Sequence, residues 1–138
     1  MSAFWLKLIG STENPRRTPY ERDYVHFPTK PSGITPGDRL LLYAVGGLKR
    51  VFATAEVTSE VHASDEQRWP YRLNVRYEVN VSPVDGVHID NLSSPRDLLA
   101  PIRRGKSYFR ITPELYDQAD AELRRVRTQD KGRQGIPP

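Results

Sequence analysis

Between Arg68 and Val79 the chain reads RWPYRLNVRYEV, and every second residue is large and apolar or aromatic. Trp69, Tyr71, Leu73, Val75, Tyr77 and Val79 share one face of an extended chain, and Arg68, Pro70, Arg72, Asn74, Arg76 and Glu78 share the other. A period of two held this long predicts a half-buried β-strand, because a helix would scatter the same residues round its axis. A strand with one dry face needs partners, so the rest of the chain must supply a sheet.

It does. AFWLKLIG (residues 3–10) is an apolar run broken by one lysine and predicts a first strand. TPGD (35–38) is a turn, with Pro36 presetting φ and Gly37 free to take a positive φ. RLLLYAV (39–45) then predicts a strand covered on both faces, GGLKR a hairpin connection, and VFATAEVTSEV (51–61) the returning partner. KSYFRI (106–111) alternates as a late strand. SSPRDLLAPI predicts a short helix with Ser94 as N-cap and Pro95 in its first position. TPELYDQADAELRRVR predicts a longer one, with Leu115, Ala119, Leu123 and Val126 on one stripe. Residues 11–36 hold five prolines and no steady period, so they read as a long irregular loop carrying Tyr20, Tyr24, His26 and Phe27. The expected architecture is α+β and mainly β. It is a small barrel of five to six mostly antiparallel strands, with the two helices at its periphery. Residues 1–127 form the expected domain, and 128–138 a flexible polar tail.

The chain has 138 residues and no cysteine, which excludes disulfides and thiolate metal sites, the zinc base deaminases among them. Its three histidines, His26, His62 and His88, lie far apart, and no metal or cofactor is implied. No phosphate loop, dinucleotide fingerprint or nucleophile elbow occurs. No run nears the roughly 20 apolar residues of a membrane span, and the N-terminus lacks the pattern of a signal peptide. A cytoplasmic location is therefore expected. Lys7, inside an apolar strand, must face solvent or lose its hydration, and the solvent-facing placement is the expected one.

The net charge of +4 is unevenly placed. Residues 1–95 balance 11 Lys and Arg against 11 Asp and Glu, while residues 96–138 carry 10 against 6. A basic C-terminal third suits a polyanionic partner, since phosphate neutralisation drives sequence-independent affinity for nucleic acid. Trp5, Tyr43, Trp69 and the loop tyrosines Tyr20 and Tyr24 are candidate rings for stacking a base. Arg68, Arg72, Arg76, Arg103, Arg104, Lys106 and Arg110 are candidate phosphate contacts.

The order FWL, PGDRLLLY, FATAEVTSE and RWPYRLNVRY resembles the EVE domain family, one of the PUA-like barrels related to YTH and ASCH domains. The resemblance covers residues 4 to about 126 and rests most on GDRLLLY, ATAEVTSE and the Arg68–Trp69 pair. It implies a non-catalytic reader of DNA or RNA that takes a modified or flipped base into an aromatic pocket. Position by position it points to Trp5 in the first strand, Tyr43 closing the GD strand, and Trp69. Ser11, Thr12 and Glu13 stand where many members carry a Lys-Ser/Thr-Glu-Pro-like segment. With Tyr24 these make the expected pocket Trp5, Ser11, Thr12, Tyr24, Tyr43 and Trp69, bordered by Arg68, Arg104, Lys106 and Arg110. Two alternatives stand beside it. One is a small ASCH-like hydrolase of nucleosides or RNA using Lys7, Thr12 and Glu13, and the other is a protein-interaction module.

Overall fold

The computed structural model describes residues 2–10, 22–92 and 95–134. Among them the strands are β1 (Phe4–Ile9), β2 (Tyr24–Phe27), β3 (Arg39–Ala44), β4 (Arg50–Val57), β5 (His62–Ala63), β6 (Tyr71–Asn80), β7 (Val87–His88) and β8 (Tyr108–Ile111). The helix α1 (Pro95–Arg103) precedes β8, and α2 (Pro113–Gln134) follows it. The strands form one sheet in the order β2-β6-β4-β3-β1-β8, with β5 added to β6 and β7 to β4. Every pairing is antiparallel except β1 with β3. The chain is thus mainly β with two helices.

Three features depart from expectation. The described strands number eight rather than five or six, the extra ones being short. One of them, β2, lies inside the proline-rich stretch read as a loop; Val25 and Phe27 are buried opposite Leu73 and Tyr71 of β6. Two inward residues are too few to show a period between prolines, and only the long alternation of β6 gives them a partner. The helix α2 also runs on to Gln134, past the expected boundary at 127, because no proline intervenes before residue 137.

Although β2 and β8 end the sheet at opposite sides, Phe27 of β2 meets Tyr108 of β8 edge to face, with centroids 5.4 Å apart. The Ser32 N–H donates to the Tyr108 hydroxyl at 3.0 Å. The sheet therefore curls until its end strands face each other across a seam bridged by side chains, with no strand pairing there among the described residues. Trp5, Lys7 and Ile9 line the inside beside Leu40, Leu42 and Ala44 of β3. The other face of β1 and β3 lies under the helices: Phe4 packs on Tyr116 of α2 at 4.9 Å. Thr54 Oγ1 donates to Asp120 of α2 at 3.3 Å. Thr112 caps α2, accepting from the Leu115 N–H at 3.2 Å.

This arrangement overturns the solvent-facing placement of Lys7. Both faces of β1 are covered, one by the helices and one by the curled sheet, so neither points at water. Lys7 is 3% exposed, its ammonium 4.6 Å from the centre of the Phe27 ring. Burial lowers its pKa from 10.5 to about 8.

A second buried charge, Asp38, ends the TPGD turn, where Gly37 takes a φ of +92°. Its carboxylate accepts from the Ala3 N–H (3.0 Å), the Trp5 indole N–H (3.0 Å) and the Thr35 N–H (3.1 Å). Burial alone would push its pKa up, but these hydrogen bonds outweigh it and hold the pKa below the ordinary 3.8.

Two stability predictions follow from the buried charges. Asp38→Ala strands these donors and is expected to cost about 3 kcal/mol in urea unfolding. Lys7→Met has the opposite sign. Below pH about 8 folded and unfolded chains both hold the proton and the burial penalty stands in full; between about 8 and 10.5 the unfolded chain binds more, so stability climbs with pH. Lys7→Met should therefore be more stable than wild type at pH 7, by up to about 3 kcal/mol, with the gain shrinking toward pH 10.5. A gain that holds constant between pH 7 and pH 10 would contradict the burial cost.

Candidate functional site

The seam opens into a cleft of about 520 Å³. One wall is β8 with the residues leading into it, from Gly105 to Arg110, and the other is Pro28, Thr29 and Ser32 after β2. Trp5 closes the end. That volume lies in the range of ligand pockets, roughly 300–1,000 Å³.

The sequence folds locally to present rings and cations here. Trp5 faces inward by the alternation of β1 and is pinned by its indole bond to Asp38. Gly33, at φ +84°, leaves room for it: a Cβ there would stand 3.3 Å from Trp5 Cη2. Tyr108 sits 5.9 Å from Trp5, tilted at 47°, and its hydroxyl is fixed by Ser32. Arg110, opposite Trp5 in register, carries its guanidinium over the Trp5 ring at 5.4 Å. Lys106 completes the cationic border.

Part of the basic C-terminal third is spent inside the molecule. Arg124 bonds Asp120 at 2.9 Å and reaches Glu78 at 3.6 Å. Arg125 pairs with Glu122, and Arg127 donates to the Glu78 carbonyl. The Arg104 Nε–H donates to the Ala100 carbonyl at the end of α1. Lys106 and Arg110, both exposed at the cleft, have no acidic partner among the described residues.

Trp69 belongs to a different surface. It stacks on His26 at 4.4 Å and 6°, half-buried just ahead of β6, with Arg68 exposed beside it. Tyr24 lies on this surface too, under the Arg72 guanidinium at 4.0 Å, and Arg72 is held by Glu66 at 2.6 Å. Burial, and the positive charges of Lys7, Arg22 and Arg72, lower the His26 pKa to about 4 against the opposing pull of Glu66, so the ring is neutral at pH 7. Arg76 is likewise paired, with Glu56 at 2.7 Å.

Tyr43 lies on neither surface. It is opposite Leu8 on the face of β3 under α1, where a smaller cavity of about 340 Å³ is lined by Leu8, Tyr43, Val45, Lys49, Leu99 and Arg103. Of the expected pocket and border, then, the structure brings Trp5, Lys106 and Arg110 together. It groups Tyr24, Trp69 and Arg68 elsewhere, and sets Tyr43 and Arg104 apart from both. Ser11, Thr12, Glu13 and Tyr20 lie outside the described residues. Sequence reasoning passed over Tyr108, Thr29 and Ser32. The signal for Tyr108 was present in KSYFRI, an aromatic at alternate spacing between Lys106 and Arg110. Among the described residues no three acidic or histidine side chains converge as a metal site, and no helix is long and apolar enough to cross a membrane.

No protein-family model and no curated protein matches the chain. Among solved structures it is similar to Rpa0253 from Rhodopseudomonas palustris, at 14% identity over 85% of this chain and 90% of that one, with a TM-score of 0.54. It is also similar to Atu2648 from Agrobacterium tumefaciens, at 14% identity over 91% and 93%, with a TM-score of 0.51. At this identity the likeness is one of fold alone.

Proposed function

We propose that the chain is a non-catalytic nucleic-acid-binding module, a PUA-like barrel of the EVE type, that holds a modified or flipped base in the seam cleft. The observation that carries this reading is the cleft itself, where the rings of Trp5 and Tyr108 lie beside Lys106 and Arg110, two cations with no acidic partner among the described residues. A base out of its stack needs a flat apolar partner, and stacking on aromatics contributes about 1–3 kcal/mol per base. Its phosphates need cations that are not already neutralised, and these two qualify where Arg124 and Arg125 of α2 do not. The hydrolase alternative has less behind it, since the Lys7 ammonium is buried against Phe27 and is not among the residues that line the cleft.

The test is a salt series with fluorescent single-stranded and duplex oligonucleotides. Wild type should bind with a negative slope of log affinity against log salt. Lys106→Ala and Arg110→Ala should each reduce that slope by about 1, as loss of one phosphate contact requires. Arg124→Ala should leave it unchanged. A flat salt response in wild type, or an equal effect from Arg124→Ala, would sink the reading.

A further inference from the structure

The antiparallel pairing of β1 with β8 sets which main-chain groups face the cleft. The Leu8 N–H donates to the Ser107 carbonyl at 2.9 Å, and Lys7 stands opposite Tyr108. Hydrogen-bonded pairs alternate along such a ladder, so Ser107, Phe109 and Ile111 turn their N–H and C=O toward β1. Tyr108 and Arg110 turn theirs away. Since β8 ends the sheet, these groups meet no other strand, and among the described residues no main-chain partner takes them up. They face the cleft that Gly105 to Arg110 line. Each residue there offers one donor and one acceptor side by side, with about 6.8 Å between the two residues.

We propose that this free edge holds the bound base, with the main-chain N–H and C=O of Arg110, beside the Trp5 ring, pairing with the donor and acceptor on its Watson–Crick edge. The inference rests on the reading in the preceding subsection and narrows the ligand class. Every nucleobase carries a donor beside an acceptor on that edge, so the main chain holds the base without choosing among the four. Substituents elsewhere on the ring, such as a methyl at C5 of a pyrimidine, leave the pairing intact. A methyl at N3 of a thymine or uracil removes the donor and blocks the approach. The occupant is a base rather than a peptide strand because only two residues of β8 point outward, the opposite wall limits the cleft, and the border is cationic.

The experiment uses labelled single-stranded oligonucleotides with one central thymine-type pyrimidine, either unmethylated at C5, C5-methylated or N3-methylated. Binding is measured with wild type, Arg110→Ala and Arg110→Pro. Proline is tolerated on an edge strand where the N–H meets no partner, and it removes the donor as well as the guanidinium. The alanine variant removes the guanidinium alone. N3-methylation should weaken wild-type binding at least about tenfold and C5-methylation should not, because a blocked edge leaves polar groups unpaired. Arg110→Pro should bind about tenfold more weakly than Arg110→Ala, with circular dichroism confirming the fold. Should Arg110→Pro fail to fold, the N3-methyl comparison decides alone. Equal binding of the N3-methyl strand, equal affinities of the two variants when both fold, or displacement by an acidic peptide of extended conformation would overturn the inference and leave base holding in place. Wild type binding no oligonucleotide at all would overturn both.

Discussion

The carboxylate of Asp38 is the contact on which the arrangement of this molecule depends. It ends a turn that exists because Pro36 and Gly37 supply the required backbone angles, and it gathers the Ala3 N–H, the Trp5 indole and the Thr35 N–H. Those donors belong to the start of β1 and to the segment that delivers β3, two strands that lie parallel and cannot be joined by a hairpin. One buried charge thus sets their register and fixes the Trp5 ring at the end of the seam. A carboxylate this deep is tolerable because several donors replace its hydration.

The seam is the second consequence. A small sheet buries its inner face by curling, and here the curl stops with β2 and β8 bridged by Phe27, Tyr108 and Ser32. The same gap leaves Lys7 desolvated behind Phe27 and opens a cleft in front of Trp5 and Tyr108. Sealing the barrel by strand pairing would have consumed the outward main-chain groups of β8 and removed the cleft. Structure and proposed function therefore meet at one imperfection of the fold.

How much of this the sequence disclosed depends on range. The alternation of β6, the hairpin of β3 and β4, the capped start of α2 and the TPGD turn are local patterns, and all were legible. The partner of Asp38 was not, because its indole donor stands 33 residues away. The burial of Lys7 depends on a closure between the ends of the sheet that no local period records. The twelve-residue alternation drew attention to Arg68 and Trp69, yet Trp69 is engaged with His26. Tyr108 and both cations of the cleft come from the least conspicuous stretch, KSYFRI. Charge misled in the same way: Arg124 and Arg125 of α2 look like part of a polyanion site in one dimension and are ion-paired in three.

The central claim is that nucleic acid engages the seam rather than the basic helix or the Trp69 surface. Amide and indole chemical shifts recorded while a short single-stranded oligonucleotide is titrated in test it most directly. The account predicts perturbations concentrated at residues 105–110, at Ser32 and at the Trp5 indole. Perturbations confined to α2, or to His26 and Trp69 with β8 silent, would contradict it.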